Sequence, residues 1–155
     1  AKAVSQGTVG RTFNGFTPGR VRDMIGIGPT TTGAFGGTYS QAHYDLNEYY
    51  GAINKGGFPI LRGYQLTDED LLRREIIFSL MCSQKVDLDK YGEDFSRELQ
   101  ILSGMPELVT IERGLLTVTT YGRVLLRNIC KVFDTKDVKP EHHKIAQKSM
   151  TRRVA

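Results

Sequence analysis

The sequence predicts an α/β (α+β) chain: a glycine-rich, strand-bearing first part, then a mostly helical, winged-helix-like domain with a β-hairpin. Three observations lead there. Gly15 to Gly37 holds seven of the chain's 17 glycines, set among short apolar runs. Thr67-Asp68-Glu69-Asp70 opens a stretch of helical periodicity. In LVTIERGLLTVT, two β-rich runs flank Arg113-Gly114, the composition of a tight hairpin. The boundaries expected are residues 1–62 for the first part, 63–134 for the helical domain and 135–155 for a basic tail.

In chain order, Met24-Ile25-Gly26-Ile27-Gly28 is too glycine-interrupted for a helix interior, where each Gly costs about 1 kcal/mol against Ala. It reads as a short buried strand entering a turn at Pro29, and Phe13, Phe16, Met24, Ile25, Ile27 and Phe35 call for burial. From Tyr39 to Asn54, Ala42, Leu46, Tyr49, Tyr50 and Ile53 recur at helical spacing, and Gly56-Gly57 ends the run. FPILRGYQL reads as an extended connector. Thr67 is then an N-cap with acids in the first turn, and Leu71, Leu72, Ile76, Ile77, Leu80 and Met81 form the buried face. A second helix is expected near Asp94–Leu102. After the hairpin, Thr119 or Thr120 caps a last helix to about Phe133, with Val124, Leu125, Ile129, Val132 and Phe133 inward.

The formal net charge is +4, and its location decides what it means. The last 21 residues carry six Lys/Arg against two acids, so residues 1–134 are neutral. A broad nucleic-acid face is not supported. No apolar run reaches the roughly 20 residues of a membrane helix. Cys82 and Cys130 sit in apolar helical patterns, which fits small core residues, a reducing cytoplasm and no metal-ligand pair.

The motifs narrow the choices further. Gly26-Ile27-Gly28 begins a G-x-G-x-x-G pattern, but position 31 is Thr and no helix start follows, so a strand and turn is the better reading. No Gly-Lys-Ser/Thr follows, which removes a P-loop. Apolar residues among glycines argue against a linker and for a close backbone approach. His142-His143 reads as solvated and His43 as structural. Arg123, Arg127 and Lys131, at i, i+4 and i+8 beside the hairpin, are the one nucleic-acid argument, with a solvated helix face as the plainer reading. No nucleophile–base pair, carboxylate dyad or metal cluster is present, so no catalytic residue is expected in this chain.

Taken together, GYQLTDEDLLRREIIFSLMC, LLTVTTYGRVLLRNICKVFD and RTFNGFTPGRVRDMIGIGPTTTGAFGGTYSQ resemble the C-terminal portion of the oxygen-independent coproporphyrinogen III oxidases. These are radical S-adenosylmethionine (SAM) enzymes of haem biosynthesis. The resemblance spans essentially the whole chain and implies that residues 1–62 supply the terminal strands of an incomplete (β/α) radical SAM barrel. The family's C-x-x-x-C-x-x-C motif, which holds a 4Fe-4S cluster, is absent here. The implied partner is therefore an N-terminal barrel portion, and this chain alone is expected to be inactive. The opening AKAVSQG, which reads as a helix entered midway, gives the same expectation of a fragment.

By the resemblance, Phe13, Asn14, Gly26, Gly28 and Thr32 face a second SAM. Asn14 stands where the family has Gln, and Thr32 where it has Ile. Arg11 and Arg20 are the cations implied for the carboxylates of the substrate, coproporphyrinogen III. The implied reaction is oxidative decarboxylation of two propionates to vinyl groups, giving protoporphyrinogen IX. The alternatives are a free-standing winged-helix module that binds nucleic acid, or a porphyrin-binding relative of the family. The glycine-rich opening is expected to be loose without the rest of a barrel, with folding carried by residues 63–134.

Overall fold

The computed structural model describes residues 2–12, 15–21 and 23–135, which fall into two compact units. The first takes residues up to 20 and from 68 onward; the second takes residues 21–67.

The first unit opens with a single helical turn, α1 (Lys2–Ser5), and a hairpin of β1 (Gly10–Thr12) and β2 (Gly15–Thr17), antiparallel with Arg11 opposite Phe16. Gly10 is required: a Cβ there would overlap the Gly19 carbonyl oxygen.

The second unit is an antiparallel sheet with one helix. β3 (Thr32–Phe35), β4 (Thr38–Ala42), the helix α2 (Leu46–Asn54) and β5 (Ile60–Gln65) give the strand order β3-β4-β5. Gly36 and Gly37 make the two-residue turn from β3 to β4, at φ of 54° and 74°, a conformation that costs other residues a Cβ clash. The Asp45 carboxylate accepts from the Asn47 and Glu48 amides and fixes the start of α2.

Three expectations change here. The helix expected from Tyr39 begins only at Leu46, because residues 38–42 pair on both sides as the central strand. The connector FPILRGYQL becomes the edge strand β5. Where terminal strands of a β/α barrel were expected, β3, β4 and β5 form an antiparallel meander, whereas a β/α repeat would pair its strands in parallel.

Returning to the first unit, α3 (Asp68–Ser83) follows Thr67 as expected, and then comes β6 (Lys85–Asp87). A 3-10 turn over Asp89–Tyr91, α4 (Ser96–Ser103), β7 (Val109–Glu112), β8 (Leu115–Val118), a 3-10 turn over Gly122–Leu125 and α5 (Leu126–Lys131) complete it. The sheet order is β6-β8-β7, all antiparallel. Arg113 and Gly114, at φ of 47° and 73°, form the expected hairpin turn. β6 was not foreseen; Gln84 at φ 60° ends α3 without a glycine and turns the chain straight into it.

Thirteen of the 14 buried apolar side chains lie between Ile76 and Phe133; Leu66 is the other. Ile76 and Leu80 of α3, Leu102 of α4, Leu116 of β8, Ile129 of α5 and Phe133 are buried completely or nearly so. Leu72, Ile77 and Met81 pack half-buried against that core. Val124 and Leu125, expected inward, are 81% and 38% exposed. The 3-10 turn advances about 120° per residue instead of about 100°, so a helical projection misplaces them.

Arg73 of α3 ties three elements together. Its Nη1 donates to Glu98 Oε1 of α4 at 2.8 Å and to the Phe133 carbonyl at 3.2 Å, while Nε donates to Glu69 Oε1 at 3.0 Å. Glu98 is the one buried charged residue among those described. Charge-assisted bonds of this kind are what let a carboxylate stay inside.

Candidate functional site

The residues singled out from the glycine-rich stretch divide three ways. Phe13 and Asn14 lie outside the described residues, as do His142, His143 and the basic tail. Gly26 and Gly28 come together on the second unit, at a hollow of about 150 Å³ lined also by Met24, Gly33, Phe35 and Tyr49. Thr32 is not part of that lining; it starts β3, paired with Gln41, and Thr31 takes its place at the hollow.

The hollow is built by backbone. Met24 and Ala34 exchange amide bonds at 2.6 and 2.8 Å, which lays residues 24–28 along β3. The expected buried strand is thus reduced to a single bridge. Ile25 and Ile27 are 76% and 89% exposed, and Phe16 and Phe35, also expected inward, are mostly exposed.

The two glycines have different reasons to be glycine. A Cβ on Gly26 would lie 2.7 Å from the Thr32 carbonyl oxygen and 2.7 Å from Thr31 Cβ, so its space is filled by the chain itself. Gly28 has open space around it but sits at φ 102°, and the Thr31 hydroxyl holds the turn by donating to its carbonyl at 2.8 Å. Only Gly28 leaves bare backbone open to a visitor. Ligand pockets run to about 300–1,000 Å³, so this hollow is smaller than a typical one.

Arg11 and Arg20 stand in the first unit. The Arg11 guanidinium lies 5.2 Å from the centre of the Phe16 ring, and Arg20 Nη1 donates to Glu75 Oε1 at 3.0 Å. A hollow of about 450 Å³ runs between the β1–β2 hairpin and the end of α3, with Phe16, Pro18, Met81 and Cys82 on its walls. Burial raises the Cys82 thiol pKa, and the positive charges of Arg11 and Arg20 pull it back down. Burial pushes the Cys130 thiol up to about 11, against a smaller pull from Arg11. The β1–β2 hairpin and the end of α3 thus share one apolar hollow, which sequence reasoning did not find because 50 residues separate the two elements in the chain.

His43 Nδ1 is 2.9 Å from Glu48 Oε2. Arg123 sits on the 3-10 turn while Arg127 and Lys131 sit on α5, so the three do not form the single straight stripe that a recognition helix presents. Among the described residues no group of three His, Cys, Asp or Glu is placed to hold a metal ion, and Cys82 and Cys130 are only two thiols. A 4Fe-4S cluster does not fit the residues present. No helix among them is long and apolar enough to cross a membrane.

Comparison with known proteins finds homologues of one kind. The oxygen-independent coproporphyrinogen III oxidase of Escherichia coli strain K12 is 32% identical over 145 residues, covering 87% of this chain and 32% of that protein. The chain is homologous to part of the oxygen-independent coproporphyrinogen III oxidases. The Synechocystis enzyme is 33% identical over 150 residues (87% of this chain, 32% of that protein), and the Thermostichus vulcanus enzyme is 34% identical over 145 (86% and 45%). A solved structure of the Escherichia coli coproporphyrinogen III oxidase, described as a radical SAM enzyme, superposes with a TM-score of 0.79 at 32% identity, over 87% of this chain and 33% of that one. No protein-family model matches the chain. It spans about a third of the length of the first of these relatives.

Proposed function

We propose that the chain is the C-terminal portion of a radical SAM enzyme that oxidatively decarboxylates coproporphyrinogen III to protoporphyrinogen IX in haem biosynthesis. The observation that carries this is the pairing of 32% identity over 87% of the chain with coverage of only 32% of the relative. The residues agree with a part. The first unit has a closed core, whereas the second has a small hollow and an apolar loop in the open.

In this reading residues 1–62 are the end of the catalytic barrel, completed by an N-terminal barrel portion. Residues 63–134 are a winged-helix-like lid, an assignment supported by three helices around a three-stranded sheet with a hairpin. The N-terminal portion carries the 4Fe-4S cysteines and the first SAM. The chain's own share is binding and orientation, and the open backbone at Gly28 contributes to a second SAM surface. Arg11 and Arg20 are the cations for propionate carboxylates, Arg20 exchanging Glu75 for substrate. Exposed ion pairs of that kind are worth about 0–1 kcal/mol, so the exchange is inexpensive.

The test is activity under anaerobic, iron–sulfur-reconstituting conditions with SAM, a reductant and coproporphyrinogen III. A polypeptide extended upstream to include the cysteine motif should form 5′-deoxyadenosine and protoporphyrinogen IX, and residues 1–155 alone should form neither. Turnover by the 155-residue chain, or none by the extended polypeptide, would overturn the proposal.

A further inference from the structure

The helix α2 carries more apolar surface than its own sheet covers. Tyr49 turns toward the hollow and is half-buried, and Ala52 is half-buried beside it. Leu46, Tyr50 and Ile53, at i, i+4 and i+7, form an adjacent stripe and are 55%, 55% and 42% exposed. Phe58, past the helix end, is 87% exposed and also edges the hollow. No residue of α2 is fully buried. A nine-residue helix that left this stripe in water would forgo much of the packing that stabilises short helices.

We infer that the stripe Leu46–Tyr50–Ile53, with Phe58, is a docking seam for the apolar face of a helix in the polypeptide that makes up the remainder of the enzyme. This rests on the proposed function above, which supplies the partner. Length selects that occupant: the matched region is about a third of the relatives, so roughly twice as much chain is left to cover it. The geometry selects a helix, because i, i+4 ridges interlock with another helix, while α2 offers no unpaired strand edge. A membrane surface fits poorly, since Asp45, Glu48 and Lys55 flank the stripe on so short a helix.

Hydroxyl-radical footprinting of the 155-residue chain and of the upstream-extended protein tests the seam directly. In the extended protein, modification of Tyr50 and Phe58 should fall at least fivefold, while Tyr121, 64% exposed in the other unit, serves as the reference that stays unchanged. Equal modification in both proteins would overturn the seam. So would protection of Tyr50 that grows with concentration in the 155-residue chain alone, which would mark a second copy as the occupant. An Ile53→Glu variant is the independent check: the extended protein should lose solubility or several degrees of Tm while the 155-residue chain changes little. Failure here with SAM cleavage intact in the extended protein removes the seam but not the enzyme; loss of both removes the proposed function.

Discussion

Gly122→Ala sets two physical arguments against each other with opposite signs. Gly122 begins the 3-10 turn ahead of α5, where helix propensity alone would favour Ala by up to about 1 kcal/mol. The structure forbids the methyl. A Cβ at Gly122 would overlap the carbonyl oxygen of Leu108 and sit 3.0 Å from Val118 Cγ1. The Leu108 oxygen has no freedom to retreat, because it accepts the Thr119 amide at 2.9 Å, and the Thr119 hydroxyl in turn accepts the Gly122 amide at 2.9 Å. Overpacking costs about 1–3 kcal/mol, and loss of one of these bonds adds about 1 kcal/mol. The expected net effect is destabilisation by about 2–4 kcal/mol. For a unit of this size that lowers Tm by about 10 °C or more, since each kcal/mol moves it about 4–8 °C. Thermal unfolding followed by far-UV circular dichroism reads the outcome. A Tm equal to or above that of the parent would refute the close-approach argument.

Three further outcomes follow from the same geometry. Glu98→Ala should destabilise by about 3 kcal/mol, the low end for a broken buried pair, because Arg73 keeps Glu69 and the Phe133 carbonyl; urea unfolding in which Glu98→Gln is as stable as the parent would contradict a charge-based role. The Cys130 thiol is pushed up to about 11 in the fold, above its unfolded value, so its contribution is complete below about pH 8.5 and is lost as pH rises from there through 11. Cys130→Ala should flatten that alkaline loss, leaving a smaller slope from Cys82 and Tyr91, whose pKa values burial also raises; an unchanged slope would count against it. Hydrogen exchange of the 155-residue chain should be faster at Met24 and Ala34 than at Ile76 and Leu80, since local stability follows buried contacts. Equal protection in a monomer would show that the second unit needs nothing more.

What the sequence made legible was the part with strong local signals. The α3 start at Thr67-Asp68, its buried face at Ile76 and Leu80, and the Arg113-Gly114 hairpin stand where they were expected. β6 has three residues and no periodicity, so only its pairing with β8 reveals it. The error at Tyr39 had a corrective in plain view: Gly36-Gly37 between Phe35 and Thr38 is a two-residue hairpin signature, outvoted by a helical spacing that residues 42–53 satisfy on their own. The Arg73–Glu98–Phe133 tie joins positions 25 and 60 residues apart, which no local pattern can show. In the glycine-rich stretch, Gly26 makes room for Thr31 and Thr32, while Gly28 has open space around it, a difference the spacing of the glycines does not show. Apolar residues there were expected to be buried because sequence patterns report a need for cover without saying what supplies it.

The central claim is that this chain is one part of a cluster-bearing enzyme, and the most direct measurement is the reading frame upstream of Ala1 together with the intact mass of the protein made from it. The account predicts a continuous frame with a C-x-x-x-C-x-x-C motif and a mass about three times that of this chain, in proportion to its 32% coverage of the Escherichia coli relative. A start codon directly before Ala1, with a mass near 17.3 kDa, would contradict it.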